Sequence, residues 1–189
     1  MGQVGFYINQ AKCTGCKACQ IACKDKNDNK VGILFRRVYE FEEGISTKVN
    51  GVFKTSLQSA SLSISCNHCD NPKCVQGCPT GAMHKRESDG VVLVDHEKCV
   101  GCKYCTWNCP YGAPQFNDDL GMMTKCDTCL DLREKGENPA CVDACPFNAL
   151  EFGEISELRA AYGTINEVSG LPSAKFTNPN IVITPNIKE

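Results

Sequence analysis

The sequence predicts an α+β fold in which short helices, small antiparallel hairpins and irregular loops surround sixteen cysteines. Three observations lead to this fold class. The cysteines form four quartets, short runs rich in β-forming residues flank the quartets, and two pairs of segments repeat along the chain. We therefore expect one fold made of two nested lobes, followed by an extended C-terminal arm.

The four quartets use every cysteine of the 189-residue chain. The third has the spacing C-x-x-C-x-x-C-x-x-x-C-P, with which bacterial proteins bind 4Fe–4S clusters. Three of its thiolates can hold one cluster, whereas the fourth lies about 6 Å further along a helix and points to a neighbouring cluster. Sixteen thiolates thus predict four clusters. The quartets are Cys13, Cys16, Cys19 and Cys23; Cys66, Cys69, Cys74 and Cys78; Cys99, Cys102, Cys105 and Cys109; and Cys126, Cys129, Cys141 and Cys145.

Eight disulfides or four zinc sites would also account for this number of cysteines. Close C-x-x-C-x-x-C runs suit a metal better than disulfides. Zinc sites with four cysteines use paired C-x-x-C units, whereas the first and third quartets contain triple runs. Many thiols without a visible signal peptide also favour folding and cluster insertion in a reducing cytoplasm. Iron–sulfur clusters are the favoured interpretation.

The composition argues against several other functions. The formal net charge of −2 does not suit a nucleic-acid partner, and no apolar run is long enough to span a membrane. No phosphate-binding loop, H-E-x-x-H pair or nucleophile elbow is present, so no catalytic site is expected. Four oxidised clusters would lower the charge to about −10, so backbone amides and lysines should face them. Candidate lysines, with plain solvation as the alternative, are Lys12, Lys17, Lys98 and Lys103.

The predicted strands lie beside the quartets. Val4–Asn9 predicts a strand before the first quartet. Within the insert 31–59, Ile33–Phe41 and Val52–Ser65 predict two strands joined by a polar stretch that contains Gly44 and Gly51. The insert either covers a cluster or forms a docking surface.

A second hairpin and several short helices complete the prediction. Ala82–Arg86 and Val91–Asp95 should pair through a turn at Asp89 and Gly90. Short helices are expected at Lys17–Cys23, Lys73–Cys78, Lys103–Cys109, Thr128–Lys135, Ala140–Cys145 and Ile155–Tyr162. The charges of Thr128–Lys135 are expected to be solvated.

Single residues and the tail give further expectations. Trp107 is expected to pack in the core, and the three histidines (His68, His84 and His96) are expected to be polar surface residues or neighbours of the ligands. Three prolines beyond Gly170 exclude a long helix, so residues 161–189 should form an extended arm, packed on its own polypeptide or on a partner.

Internal repeats suggest how the lobes are nested. KCTGCKAC at 12–19 matches KCVGCKYC at 98–105, and NPKCVQGCPTGAM at 71–83 matches NPACVDACPFNAL at 138–150. Strand-like runs also occupy equivalent places, with Ala149–Phe152 following the fourth quartet. An outer lobe, residues 1–30 with 120–160, thus corresponds to an inner lobe, 60–119, whose hairpin has been cut open. The N- and C-terminal segments should therefore pair.

In each lobe the two quartets should exchange their last cysteines. The predicted ligand sets are Cys13, Cys16, Cys19 and Cys145 (cluster 1); Cys23, Cys126, Cys129 and Cys141 (cluster 2); Cys66, Cys69, Cys74 and Cys109 (cluster 3); and Cys78, Cys99, Cys102 and Cys105 (cluster 4).

Four segments carry a family resemblance: GFYINQAKCTGCKAC, SISCNHCDNPKCVQGCPTGAMHKR, CPYGAPQFN and FTNPNIVITPN. They resemble the four-cluster electron-transfer subunits of membrane-bound molybdopterin oxidoreductases, above all the iron–sulfur (B) subunits of anaerobic dimethyl sulfoxide reductases. The resemblance implies electron transfer between a quinol-oxidising membrane anchor subunit and a molybdopterin catalytic subunit. Polysulfide, thiosulfate, tetrathionate and formate enzymes share the spacing. A free-standing polyferredoxin is a further alternative, against which the insert and the tail favour a fixed partner.

The resemblance also implies a location and a cluster type. The protein would lie peripherally on the cytoplasmic membrane, on the outer face after export with its catalytic subunit, with the cytoplasmic face as the alternative. The outer lobe would face the catalytic subunit, and the cluster held by Cys99, Cys102 and Cys105 would lie nearest the anchor. Relatives with Trp in place of Cys102 hold a 3Fe–4S cluster, so Cys102 implies four 4Fe–4S clusters.

Overall fold

The computed structural model describes residues 2–186 and confirms the α+β class, with small sheets and short helices. Its strands are β1 (Val4–Asn9), β2 (Arg37–Val49), β3 (Val52–Ile64), β4 (Met83–Lys85), β5 (Val92–Val94), β6 (Gln115–Asn117), β7 (Met122–Thr124), β8 (Leu150–Glu154) and β9 (Ile181–Thr184). Its helices are α1 (Ala18–Lys26), α2 (Lys73–Gln76), α3 (Tyr104–Asn108), α4 (Leu130–Arg133), α5 (Ala140–Asp143) and α6 (Ile155–Tyr162), with a 3₁₀ turn at Ala174–Phe176.

The two ends of the described polypeptide meet in a three-stranded sheet. β1 pairs antiparallel with β8 and parallel with β9, in the order β8-β1-β9. Alternate residues of β1 face opposite sides, so Phe6 and Ile8 enter the main core while Tyr7 packs with α6. The predicted pairing of the terminal segments is confirmed. The tail packs on its own polypeptide as far as Asn186; the last three residues of the predicted arm lie outside the described residues.

The insert forms one long hairpin, in which the predicted bounds of the first strand were wrong and those of the second agree to within one residue. β2 begins at Arg37 rather than Ile33, and Gly44 lies inside β2 rather than in the connection. The turn is the Asn-Gly pair at 50–51, whose φ angles of 52° and 81° suit a two-residue hairpin turn. The base of β3 is buried in the core, whereas Ile45 and Phe53 near the tip are 71% and 69% exposed.

The remaining elements are short. The hairpin β4–β5 forms at the predicted place, whereas β6–β7 was not predicted, because Gln115–Asn117 and Met122–Thr124 contain no valine or isoleucine to mark a strand. The predicted helix at Thr128–Lys135 is reduced to α4. Trp107 is 79% exposed beside Tyr104 on α3, so the expectation that it packs in the core was wrong.

Cysteines form part of the core itself. α1 packs on α5, and α2 on α3. The largest buried cluster places cysteines of the first, second and fourth quartets among Phe6, Leu62 and Ile64, and a smaller one places Cys74 and Cys105 beside Met83 and Met123. The division into two nested lobes stays a prediction. No helix within residues 2–186 combines the length and apolar character of a membrane span.

Candidate iron–sulfur cluster sites

Two cavities are lined by cysteines. The outer cavity, as we call it, is lined by Cys13, Cys16, Cys19 and Cys145, all four members of predicted set 1. The inner cavity is lined by Cys78, Cys99, Cys102 and Cys105, all four members of predicted set 4. In both, the middle cysteine of the loop is exposed and the third is buried.

The other eight cysteines belong to predicted sets 2 and 3, which we call the second and third groups, and Cys126 of the second also interacts with Cys66 of the third. Electrostatic interactions join Cys23 to Cys126, Cys129 and Cys141. They likewise join Cys66 and Cys109 to Cys69 and Cys74. Each group contains the members of one predicted set, 2 or 3, and all sixteen cysteines are free thiols. The assignment of ligands to clusters stays a prediction, although the folding brings the expected thiols together.

The first C-x-x-C turn of each quartet has a positive φ at the same position. The residue before the second cysteine has a positive φ: 73° at Gly15, 42° at His68, 68° at Gly101 and 66° at Thr128. Two of these residues are not glycine, although the left-handed region disfavours side chains. Such turns direct successive N–H groups into one concavity, which suits an anion. The recurrence indicates that the turn is needed for the site.

Backbone amides donate to several cysteine sulfurs. The N–H groups of Thr128 and Ala149 lie 3.4 and 3.3 Å from Cys126 Sγ and Cys145 Sγ. Those of Met83 and Met123 lie 3.4 and 3.5 Å from Cys78 Sγ and Cys99 Sγ. These donors meet the expectation that backbone amides offset cluster charge. Those of Met83 and Ala149 come from the segment just after a quartet, whereas that of Met123 comes from β7.

Burial sets the protonation of most thiols. Burial raises the pKa of Cys23 and of Cys69 to about 12, and that of Cys105 to about 11. Burial would also raise the pKa of Cys78, but donors from Met83 and Thr80 lower it. Thiols that hold their protons this firmly release them only to a strongly bound metal.

A buried arginine lies between two thiol groups. Arg36 is 1% exposed, and its Nη1 donates to Ser63 Oγ at 3.1 Å and its Nη2 to Ser65 Oγ at 3.1 Å. Ser63 Oγ lies 3.2 Å from Cys19 Sγ. The guanidinium interacts electrostatically with Cys19 of the first group and with thiols of the second. Its Nε is buried and finds no hydrogen-bond partner among residues 2–186.

Lys125 is the second buried cation. It is 6% exposed, and its Nζ donates to the carbonyl oxygens of Val92 and Cys126. It interacts with Cys126 of the second group and with Cys74 and Cys109 of the third. Neither cation was predicted from the sequence. An arginine inside the apolar run ILFRRVYEF and a lysine directly before Cys126 were the available signals.

Of the lysines proposed from the sequence, Lys17 lines the outer cavity, and the other three are not among the residues that line either cavity. Lys17 pairs with Glu40 at 3.2 Å and Lys98 with Asp95 at 2.8 Å, both on the surface. Lys103 lies 3.9 Å from the centroid of the Phe116 ring, and Lys12 is exposed. These contacts favour the solvated alternative for Lys12, Lys98 and Lys103, whereas Lys17 is a cation near the thiols, as are the buried Arg36 and Lys125.

The histidines differ from one another. His68 is fully buried, and its Nδ1 accepts a hydrogen bond from Val92 N at 3.0 Å. Burial, with Lys125 nearby, holds the pKa of His68 well below its usual value, so the ring is neutral. His84 and His96 are exposed, as polar surface residues should be. His68 is the neighbour of two cysteines and not a proton carrier to solvent.

A charged junction at Asp89 joins the β4–β5 turn to α4 and β1. Asp89, in the β4–β5 turn, accepts hydrogen bonds from Arg86 Nε at 2.8 Å and Arg133 Nη2 at 3.0 Å. Burial would raise its pKa, but Arg86, the Val91 N–H and Arg133 lower it to about 2. Its carbonyl oxygen also accepts from Val4 N at 3.0 Å. The charges of this segment were predicted to be solvated. Arg133 instead links α4 to the β4–β5 hairpin.

The donor set fits iron–sulfur clusters. Thiols and apolar groups line both cavities, together with a few hydroxyl groups and Lys17 but no carboxylate from the described residues, and soft thiolates select iron–sulfur clusters or zinc. Within residues 2–186 no three Cys, His, Asp or Glu side chains converge on a point suited to a single ion. Thiols spaced around a cavity suit a polynuclear cluster, whose irons lie at separate corners. The orphaned Arg36 Nε adds a buried donor beside them.

Comparison with known families agrees with this chemistry. The model of the 4Fe-4S dicluster domain matches residues 57–155, and that of a 4Fe-4S binding domain matches residues 10–29. The B subunit of the anaerobic dimethyl sulfoxide reductase of Escherichia coli (strain K12) is 53% identical over 97% of this chain and 89% of its own length. This protein belongs to the family of anaerobic dimethyl sulfoxide reductase B subunits.

Other members of this family give similar figures. The probable anaerobic dimethyl sulfoxide reductase subunit YnfG of Escherichia coli (strain K12) is 54% identical, with coverage of 97% and 89%. The B subunit of the Haemophilus influenzae reductase is 48% identical, with 98% and 91%. The thiosulfate reductase electron transfer subunit PhsB of Salmonella typhi is 40% identical over 79% of this chain and 74% of its own. The family resemblance found in the sequence is confirmed, and these relatives are subunits of reductases.

Proposed function

We propose that this protein is the electron-transfer subunit of a reductase of S- or N-oxides of the dimethyl sulfoxide type. It binds four 4Fe–4S clusters and connects a quinol-oxidising membrane anchor subunit with a molybdopterin catalytic subunit. The observation that carries the proposal is the pair of cavities that are each lined by four cysteines from two quartets, in a member of this family. When bound, each cluster supplies reversible one-electron chemistry.

The protein's own residues hold, insulate and bias the four sites. Cys13, Cys16, Cys19 and Cys145 would hold cluster 1, and the other predicted sets would hold clusters 2 to 4. Apolar residues of the core, such as Leu62 and Met83, keep water from the inner thiols. Amide donors to sulfur offset negative charge without bringing a proton that can leave.

Neighbouring groups suggest the order of the sites. Cys19 interacts with Cys141 across groups 1 and 2, and Cys126 with Cys66 across groups 2 and 3. Groups 3 and 4 share the second and third quartets. The exposed Cys16 and Cys102 lie at opposite ends of this series. We assign the Cys16 end to the catalytic subunit and the Cys102 end to the anchor, on the outer face of the membrane.

Purification of the protein with its partners from membranes tests the proposal. We expect a molybdopterin protein and a multi-span protein to co-purify, and about 16 irons with as much sulfide in this subunit. A redox titration followed by electron paramagnetic resonance should show four 4Fe–4S centres. Zinc in place of iron, or a subunit that purifies alone, would refute the proposal.

A second candidate differs only in the terminal substrate. The 40% identity to a thiosulfate reductase subunit favours the same role with an inorganic sulfur substrate as the runner-up. A screen of the purified complex with dimethyl sulfoxide, trimethylamine N-oxide, thiosulfate, tetrathionate and polysulfide separates the two. Turnover with the inorganic compounds alone would replace the first assignment.

A further inference from the structure

We infer that Arg36 is the internal counter-ion of clusters 1 and 2, and that it raises the reduction potentials of both. This inference rests on the proposed function, because it requires loaded clusters. It adds a charge-compensating residue that lies outside every cysteine quartet. Arg36 is buried and interacts with thiols of the first and second groups.

Arg36 has no acidic partner among the described residues. Its guanidinium is 1% exposed, and within residues 2–186 its hydrogen bonds go to Ser63 and Ser65. The ring of Phe6 lies 4.4 Å from the guanidinium carbon. A buried charge without an opposite charge is strongly disfavoured. The balancing charge must come from the thiolates and the clusters that they would hold.

The arrangement of donors connects Arg36 to both sites. Arg36 Nη1 donates to Ser63 Oγ at 3.1 Å, so the Ser63 hydroxyl proton is free to point at Cys19 Sγ, 3.2 Å away. The guanidinium of Arg36 also interacts electrostatically with Cys23, Cys126 and Cys141 of the second group. One cation thus acts on two neighbouring sites.

A fixed positive charge beside a cluster favours its reduced form, because reduction adds negative charge. The effect is large where water is excluded, as it is around Arg36. Lys125 occupies the corresponding position between groups 2 and 3 and serves as an internal comparison. The exposed Lys54 on the hairpin serves as a control for the loss of one charge.

Midpoint potentials of the purified complex test the inference. In Arg36→Gln, two of the four centres should shift downwards, with at least a tenfold change in the ratio of oxidised to reduced cluster at a fixed potential. For a one-electron couple that is about 59 mV. Arg36→Lys, which keeps the charge, should restore most of the shift. Lys125→Gln should shift a different pair that shares one centre, and Lys54→Gln should shift none.

Several results would overturn the inference. The inference is wrong if all four midpoint potentials are unchanged in Arg36→Gln, or if all four shift equally. It is also wrong if the potentials of Arg36→Lys are as low as those of Arg36→Gln. If Arg36→Gln fails to load clusters, Ser63→Ala decides: a downward shift of one centre supports the hydroxyl bridge to Cys19, and no shift refutes it. Absence of clusters from the wild-type protein would instead refute the proposed function.

Discussion

The outer and inner cavities are bounded by the same loop, C-x-G-C-K-x-C, at residues 13–19 and 99–105. Their backbones agree closely, with φ of 73° and 68° at the glycines and 64° and 65° at the lysines. What lies behind the third cysteine differs. Cys19 meets Ser63 and the buried Arg36, whereas Cys105 packs among Met83, Val92 and Met123. Ligand spacing therefore fixes the shape of a site, and residues from other segments fix its electrostatics.

The largest expected effect tests whether the two loops are equivalent. Cys16→Ser and Cys102→Ser each remove one exposed thiol of four lining a cavity. Each variant should lose one iron or one whole cluster, and quinol-driven turnover should fall more than tenfold while dye-driven turnover at the catalytic subunit survives. Iron analysis and electron paramagnetic resonance measure the loss. A 3Fe–4S signal in the wild-type protein would contradict the role given to Cys102.

The next effect separates the supports of the two cavities. Ile183, fully buried in β9, pairs in register with Ile8 of β1. Ile183→Ala should lower the free energy of unfolding by about 2–5 kcal/mol, because it leaves a cavity in the core. Urea unfolding measures the loss, and amide exchange should quicken in β1 but not in β4. The exposed Ile45→Ala, as control, should change stability by less than about 0.5 kcal/mol. Equal quickening in both strands would show that the regions do not unfold separately.

Asp89 tests how firmly the two regions are joined. Asp89→Asn should cost about 1–3 kcal/mol at pH 7, because Arg86 and Arg133 lose their charged acceptor. The pKa of Asp89 is about 2 when folded, below its ordinary value, so its stabilisation is present above about pH 4 and is lost as the pH falls towards 2. Urea unfolding of wild type and variant between pH 6 and 3 should therefore converge on the acid side. A constant difference would assign the effect to packing.

The smallest effect distinguishes the two glycines. A Cβ at Gly101 would lie 2.4 Å from the backbone oxygen of Gly121, whereas one at Gly15 would lie 2.7 Å from Ser61 Oγ, which can rotate. Both substitutions incur about 1–2 kcal/mol for a side chain at positive φ. Gly101→Ala should therefore lower the unfolding midpoint in urea more than Gly15→Ala. The opposite order would mean that the Gly101 loop adjusts more easily.

The sequence predicted the elements that the cysteines control. Helices after Lys17 and Lys103 and the hairpin at 83–94 lie where repeats place them, because metal ligands restrict the spacing of nearby residues. Contacts between distant segments were out of reach. Arg36 and Arg37 are adjacent, yet the first is buried against Ser63 while Arg37 donates to Tyr111 O at 2.7 Å. Nothing in the local pattern distinguishes them, since the partners lie 27 and 74 residues away.

Trp107 shows that residue type alone does not predict burial. Its large apolar ring predicted burial, but α3 is a five-residue helix that turns this residue outwards, where it is 79% exposed. Lysine is usually exposed, but the carbonyl oxygens of Val92 and Cys126 hold Lys125 inside. Composition sets the average burial of a residue type; the tertiary partners decide the individual case.

The parallel pairing of β9 with β1 sets an order for biosynthesis. Tyr7 of β1 and Thr184 of β9, joined by a 2.9 Å hydrogen bond, are 177 residues apart, so β1 leaves the ribosome long before its partner. The hairpin β4–β5 closes within a few residues. Cys78, Cys99, Cys102 and Cys105 can thus gather during translation, whereas Cys13, Cys16 and Cys19 must wait for Cys145. The thiols of the inner cavity would therefore be complete for cluster binding earlier in synthesis than those of the outer cavity.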